Sequence, residues 1–174
     1  MQVSICHATV EGQTGKIARF VADCVSGAGH TPLMFDVGDE RAHADFDDID
    51  RVILAAPVHE RRHPRGFEAF VAGRHADLAD RPVLMLSVSL KAAFAEGRDE
   101  AQDYLDEMLL RTGLEPDASV LVAGAVRPES YGYFESQVLR HVVLEGQSFD
   151  PGVKHEFTDW DGLRAAVRAF LDGG

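Results

Sequence analysis

Two threonines and a glycine lie close together near the start of the chain, in the segment Thr9-Val10-Glu11-Gly12-Gln13-Thr14. Threonine hydroxyls donate hydrogen bonds, and glycine lets the backbone curl closely around a ligand. A helical pattern begins at about Thr14, so the free backbone amides of its first turn would face this loop, and a helix N-terminus attracts anions. The loop can therefore hold a phosphate monoester without lysine or arginine. The alternative interpretation is an ordinary strand-to-helix turn with a threonine cap.

The rest of the sequence contains no recognised catalytic motif. The first loop matches neither the G-x-x-x-x-G-K-[ST] pattern nor the G-x-G-x-x-G pattern. No serine or cysteine lies in a nucleophile elbow, and the H-E-x-x-H and C-x-x-C patterns are absent. The eight histidines are scattered, and His59 and His63 lie in a polar loop before a proline, so we expect no metal site. We assign no catalytic residue and expect the chemistry to come from a bound cofactor.

Short apolar runs and helical patterns alternate five times along the chain. The strands and helices that they predict must position the first loop. The runs are nearly continuous, which is typical of strands that are covered by helices on both faces. The pattern predicts an α/β fold, a sheet of five parallel strands in a single domain, residues 1–174. Ligands bind such sheets at the carboxyl ends of the strands. We predict strands at residues 3–8, 31–37, 51–56, 83–88 and 119–126, and helices at residues 14–26, 67–71, 99–112 and 159–171. Either Thr158 or Asp159 can cap the last helix.

Composition excludes several classes of partner. The net charge of −12 disfavours nucleic acid, which is bound mainly by lysine and arginine, and it disfavours an anionic membrane surface. Two cysteines, Cys6 and Cys24, are too few for a disulfide framework and are expected to be ordinary thiols of a reducing cytoplasm. No signal-peptide pattern opens the chain, and no apolar run reaches the length of a transmembrane segment. We therefore expect a cytoplasmic protein.

The pattern T-x-x-G-x-T after the first strand resembles the FMN phosphate loop of the flavodoxin superfamily. More specifically, residues 9–18 are similar to the start of the flavodoxin-type protoporphyrinogen IX dehydrogenases, a menaquinone-dependent family of bacteria. Further similarities follow in the same order at residues 67–71, 87–90, 123–127 and 158–160. The resemblance implies a flavodoxin-like, doubly wound sheet with the strand order 2-1-3-4-5.

The same resemblance implies where FMN binds. Its phosphate would occupy the first loop, at Thr9, Val10, Glu11, Gly12, Gln13 and Thr14. The isoalloxazine ring would lie between the loops after the third and fourth strands, at Pro57, Val58, His59 and Arg61, and at Ser87, Val88, Ser89 and Leu90. Backbone groups of these loops can hydrogen-bond the edge of the ring. His59 and Arg61 would be its polar flanks; the alternative is that they are solvated loop residues.

Residues 127–156 interrupt the alternation and resemble the insertion in the fifth strand of long-chain flavodoxins. After this insertion, residues 153–157 can resume the strand. Phe134, Val138 and Val142 recur every four residues and predict an amphipathic helix of about three turns. Tyr131 and Tyr133 precede it and can reach the open edge of the cofactor. The alternative is a helix packed on the domain or on a second subunit, as in a homodimer. The related dehydrogenases are expected to be basic and apolar here, whereas acidic residues outnumber basic ones in this insertion.

Three functions are consistent with the sequence. By resemblance, the first is an FMN-dependent oxidoreductase that oxidises protoporphyrinogen IX and passes the electrons to a quinone, in heme biosynthesis, either in the cytoplasm or peripheral to the inner membrane. The second is a flavodoxin-like electron-transfer protein that docks redox partners through an acidic face. The third is a domain that has lost FMN and acts structurally.

Overall fold

Five parallel strands form the centre of the molecule in the computed structural model, which describes residues 1–39, 44–126 and 155–173. Their order is β2-β1-β3-β4-β5, which confirms the expected doubly wound α/β topology. The central strands β1, β3 and β4 are buried along most of their length, as their continuous apolar runs predicted. The strands are β1 (Gln2–His7), β2 (Thr31–Asp36), β3 (Arg51–Pro57), β4 (Val83–Ser89) and β5 (Ala118–Ala123).

Helices cover both faces of this sheet and divide the core into two halves. One half packs α1 and α5 against side chains such as Ile5 and Leu86. The other packs α2, α3 and α4 against the alternate side chains, among them Leu54 and Met85. The alternation arises because successive residues of a strand point to opposite faces of the sheet. The helices are α1 (Gln13–Gly27), α2 (Arg65–Gly73), α3 (His75–Ala79), α4 (Arg98–Thr112) and α5 (Trp160–Leu171).

The end of the fifth strand differs from the prediction. We expected one strand over residues 119–126 that residues 153–157 resume, but β5 leaves the main sheet after Ala123. Its neighbour β4 ends at Ser89, the residue paired with Ala123, so no strand remains for further pairing. Instead, β6 (Ala125–Val126) pairs antiparallel with β7 (His155–Glu156) in a separate two-stranded sheet. The predicted insertion helix, with Tyr131 and Tyr133, lies outside the described residues.

The start of α5 is fixed by one of the two predicted caps. The side chain of Asp159 accepts a hydrogen bond of 2.9 Å from the backbone amide of Gly162, which satisfies a free donor of the first turn. Thr158, the other predicted cap, is therefore free to make a different contact, described below. That contact connects α5 to the first loop.

Candidate functional site

The carboxyl ends of β1, β3 and β4 bring the predicted binding segments to one edge of the sheet. The backbone amide of Ala8 donates to the carbonyl of Ala55 at 3.0 Å, which ties the start of the first loop to β3. The amide of Val58 donates to the carbonyl of Val88 at 2.7 Å, which ties the loop after β3 to β4. Three segments far apart in sequence thus meet because parallel strands end at the same edge.

The first loop leaves the N-terminus of α1 open. Gly12 precedes the helix in the left-handed conformation, with a φ of 87°, and no side chain of the described residues caps the helix. The hydroxyl of Thr9 instead accepts a 2.9 Å hydrogen bond from the amide of Gly12, within the loop. A threonine therefore closes the turn, as the alternative interpretation expects, but it does not cap α1 itself. The uncapped amides of the first turn, together with the helix dipole, can bind an anion.

Gln13 and Thr158 connect this loop to the end of β5 and the start of α5. The Gln13 Nε2 donates to Thr158 Oγ1 at 3.1 Å, and that hydroxyl donates to the carbonyl of Ala123 at 2.7 Å. Because the hydroxyl proton is used at Ala123, the Thr158 oxygen accepts, and this fixes the orientation of the Gln13 amide. Gln13 is 6% exposed, and its Oε1 has no hydrogen-bond partner in the described part of the chain. Buried acceptors of this kind are rare, and this one suits a ligand that carries hydroxyl groups.

Replacing Thr158 by valine tests this connection. The near-isosteric change removes both hydrogen bonds and leaves the Gln13 amide and the Ala123 carbonyl without these partners, so we expect the free energy of unfolding to fall by about 2 kcal/mol. Urea denaturation measures the change. Thr31→Val, at an exposed position on the edge strand β2, is the matched control. Equal losses in the two variants would contradict the assigned role of Thr158.

The loop after β3, residues 57–62, is called the ring loop below. His59 and Arg62 pair through backbone hydrogen bonds of 2.9 and 3.1 Å, and Glu60 and Arg61 form the turn between them. Glu60 and Arg61, with φ values of 48° and 66°, are the only non-glycine residues with positive φ in the described ranges. The left-handed backbone conformation costs each of these two residues roughly 1–2 kcal/mol of conformational free energy. Strain of this kind concentrates at functional sites.

The predicted polar flanks of the ring occupy different surroundings. His59 Nδ1 lies 3.9 Å from Glu11 Oε1, so a side chain of the ring loop reaches the first loop. Arg61 is exposed and acts electrostatically on Tyr104 and Glu100 of α4. His59 thus lies on the side of the predicted phosphate site, and Arg61 lies on the side of α4.

The loop after β4 is tied to the first turn of α4. Lys91 Nζ lies 2.7 Å from Glu100 Oε2, and the Tyr104 hydroxyl donates to the other oxygen of Glu100. Hydrogen bonds from Lys91 and Tyr104 hold the pKa of Glu100 below its usual value, and burial raises the pKa of Tyr104 to about 12. At neutral pH Glu100 is therefore ionised and Tyr104 protonated. Ser89, a predicted ring contact, accepts a 3.2 Å hydrogen bond from the amide of Ala92.

A buried polar network beneath these loops was not anticipated. His63 is 1% exposed, and its Nε2 lies 3.0 Å from the hydroxyl of Ser87, which is fully buried. The predicted ring contact Ser87 therefore uses its hydroxyl on His63. Nearby, the buried carboxylate of Glu68 accepts hydrogen bonds from Arg62 and, at 2.9 Å, from Arg111. Burial raises the pKa of Glu68, but these two bonds outweigh burial and hold the pKa below its usual value.

The remaining sequence expectations concern thiols, metals and membranes. Cys6 and Cys24 are free and buried, and burial raises the pKa of Cys6 to about 11, which makes it unreactive. Within residues 1–39, 44–126 and 155–173, no group of three or more histidine, cysteine or acidic residues is placed to hold a metal ion. None of the helices in those ranges is long and apolar enough to cross a membrane.

Known proteins match this chain at both the sequence and the fold level. The model of the Flavodoxin domain family matches residues 4–150. Protoporphyrinogen IX dehydrogenase [quinone] of Escherichia coli (strain K12) is 25% identical over 165 residues, which cover 92% of this chain and 90% of the relative. The relative of the same name from Escherichia coli O157:H7 matches with the same figures.

Two solved structures illustrate the fold similarity. Oxidised flavodoxin 1 from Bacillus cereus superimposes with a TM-score of 0.61 at 15% identity, covering 100% of this chain and 99% of the flavodoxin. A mutant flavodoxin from Fusobacterium nucleatum, bound to flavin mononucleotide, gives a TM-score of 0.52 at 13% identity, covering 98% and 93% of the two chains. At these identities the similarity establishes the fold alone.

Proposed function

This chain belongs to the Flavodoxin domain family, and from that premise we propose that it binds FMN and works as an FMN-dependent oxidoreductase. The observation that carries the proposal is the uncapped N-terminus of α1 behind Gly12, at the carboxyl edge of a sheet with flavodoxin strand order. The buried Oε1 of Gln13 beside it has no hydrogen-bond partner among the described residues and fits the same ligand, because FMN carries both a phosphate and a hydroxylated ribityl chain.

The proposed phosphate contacts lie in the first loop. Its first-turn amides would donate to the phosphate, with help from the hydroxyls of the two threonines, and Gln13 would accept from a ribityl hydroxyl. Thr9 keeps its hydroxyl proton available, since its oxygen accepts from Gly12. The contacts proposed for this loop are Thr9, Val10, Glu11, Gly12, Gln13 and Thr14.

The proposed ring contacts lie in the ring loop and at the end of β4. The amides of Glu60 and Arg61 take no part in the backbone pairing of His59 with Arg62, so the turn can offer them to the edge of a planar ring. Bound FMN supplies reversible electron transfer; the loops bind and orient it and shield it from water. The contacts proposed here are Pro57, Val58, His59 and Arg61, with Ser87, Val88, Ser89 and Leu90.

The finer activity we propose is oxidation of protoporphyrinogen IX with a quinone as electron acceptor. It is supported by the name of the Escherichia coli relative, which matches 92% of this chain at 25% identity. With that activity the protein would work in the cytoplasm or at the surface of the inner membrane.

We also propose that the chain forms a homodimer. Analytical ultracentrifugation of the purified protein tests this.

A flavodoxin-like electron carrier is the second candidate, and the outer face of α4 favours it. Asp99, Asp103, Asp106 and Glu107 are all exposed there. The helix begins directly after the loop that follows β4, so this acidic face adjoins the proposed ring site. A basic redox partner would be steered to it by charge, and its reduction would slow as salt is added.

The experiment begins with the visible spectrum of the purified protein and the flavin that it releases on heating. We expect a yellow protein that releases FMN; a colourless protein that binds no added FMN would refute the proposal. Anaerobic oxidation of protoporphyrinogen with menadione as acceptor then tests the finer activity. Absent turnover, together with rapid and salt-dependent reduction of a basic redox protein, would favour the carrier.

A further inference from the structure

The turn of the ring loop must be held in place by its surroundings. Glu60 and Arg61 both adopt the left-handed conformation that residues with side chains avoid. The two backbone hydrogen bonds between His59 and Arg62 close this turn on itself but do not attach it to the sheet. The position of the turn over the sheet therefore depends on the residues that flank it.

The two sides of the turn are attached differently. On the N-terminal side, the Val58 amide binds the carbonyl of Val88 in β4. On the C-terminal side, Arg62 reaches Glu68 of α2 through a side chain that is 40% exposed. The next residue, His63, is 1% exposed and lies 3.0 Å from the Ser87 hydroxyl on β4. His63 is thus the buried attachment of the C-terminal side to the sheet.

The surroundings of His63 favour a neutral imidazole. The charged groups that act on it are Glu68 of α2 and Arg111 of α4, which have opposite signs, and Glu68 is already bonded to two arginines. Burial lowers the pKa of His63 to about 4. A protonated ring carries N–H donors at both nitrogens, and the described residues offer no acceptor at Nδ1. The single bond to Ser87 therefore suits the neutral ring.

We propose that His63 is the positioning residue of the ring loop and that its hydrogen bond to Ser87 fixes the Glu60–Arg61 turn at the carboxyl ends of β3 and β4. The inference rests on the proposed function, because the ring of FMN is the group that this loop would receive. His63 acts through the loop, and the loop would contact the ring. Loss of the bond should therefore loosen the loop selectively.

Limited trypsin digestion of the purified full-length chain tests this, since Arg61 and Arg62 place cleavage sites in the loop itself. We expect His63→Ala and Ser87→Ala to be cut there about tenfold faster than the wild type, because a buried hydrogen bond that holds the loop closed is gone. Cleavage after Arg98, an exposed site outside the loop, should keep its wild-type rate. His75→Ala, at an exposed histidine that bonds the Gly113 carbonyl at 3.1 Å, is the matched control.

Rescue by a conservative variant separates positioning from simple packing. His63→Gln keeps a neutral side chain that can bond Ser87, so we expect slower loop cleavage than in His63→Ala. The FMN dissociation constant, measured by flavin fluorescence quenching, should rise about tenfold in His63→Ala and less than threefold in His63→Gln.

The proposal would be overturned if the alanine variants were cut at the wild-type rate, if all sites were cut faster to the same extent, or if glutamine were no better than alanine. A wild-type chain that binds no FMN would refute the proposed function instead. Loop cleavage would still decide the role of His63, because it is measured without added FMN.

Discussion

Gly12→Val is expected to weaken FMN binding about 100-fold, which corresponds to about 3 kcal/mol. Gly12 has a φ of 87° directly before α1, and a β-branched residue is strongly disfavoured there. The free loop would relax away from this conformation and break the Thr9–Gly12 hydrogen bond. Binding would then have to restore both, at roughly 1–2 kcal/mol for the backbone and about 1 kcal/mol for the bond. Titration with FMN, followed by quenching of flavin fluorescence, measures the loss.

Gly29→Val is the matched control for this prediction. Gly29 also has a positive φ, of 81°, but it lies just beyond the opposite end of α1, and a Cβ there would meet no atom within 4 Å. The same substitution should therefore lower the free energy of unfolding while leaving the FMN dissociation constant close to that of the wild type. If Gly12→Val and Gly29→Val weakened FMN binding equally, general strain in α1 would explain the result. The phosphate-binding role assigned to the first loop would then be contradicted.

Acid is expected to destabilise the protein by about 2.5 kcal/mol between pH 7.5 and pH 4.5 through His63 alone. In the unfolded chain this imidazole has its ordinary pKa of 6.5, whereas burial in the fold lowers its pKa to about 4. Below pH 6.5 the unfolded state therefore takes up a proton that the folded state does not yet bind. The free energy of unfolding falls as the pH drops through this window, and the loss levels off once the pH is below about 4.

His63→Gln isolates this effect because glutamine does not titrate. Urea denaturation of both proteins at pH 7.5 and pH 4.5 should give a pH-dependent loss that is about 2.5 kcal/mol smaller in the variant. Glu68 does not affect the comparison, because its arginine partners lower its pKa and its contribution to the free energy of unfolding is therefore lost below pH 4.5. Parallel pH profiles for the wild type and His63→Gln would show that His63 titrates normally.

The sequence alone predicted the elements of the main sheet to within a few residues. Each central strand is a run of apolar side chains buried on both faces, and burial of that kind is visible as a local pattern. The start of α1 was predicted at Thr14, one residue from its position at Gln13, and Asp159 was one of the two predicted caps of α5, since helix starts have local residue preferences. Membership of the flavodoxin family was predicted from short sequence matches in the same order as in its members, and the match to the Flavodoxin domain family model confirms it.

The polar contacts of the site could not be predicted in the same way. Gln13 and Thr158 are 145 positions apart, Glu68 and Arg111 are 43 apart, and His63 and Ser87 are 24 apart. No periodicity relates residues at such separations. The sequence presented His63 only as a loop histidine near His59, and Thr158 only as a possible helix cap within a family match. The place where β5 leaves the sheet depends on where β4 ends, which is a property of the neighbouring strand.

The amino-acid sequence thus determined the strands of the main sheet, the helices α1, α2, α4 and α5, and the loop that opens α1, because burial and helix starts depend on nearby residues. The short helix α3 and the strands β6 and β7 were not predicted. The tertiary structure decided which distant side chains meet at the carboxyl edge of the sheet. It buried the Gln13 oxygen at the first loop, without a partner in the described part of the chain, and it attached His63 to Ser87 beneath the ring loop. These contacts exist because parallel strands bring their ends together, and that requires the whole sheet to have formed.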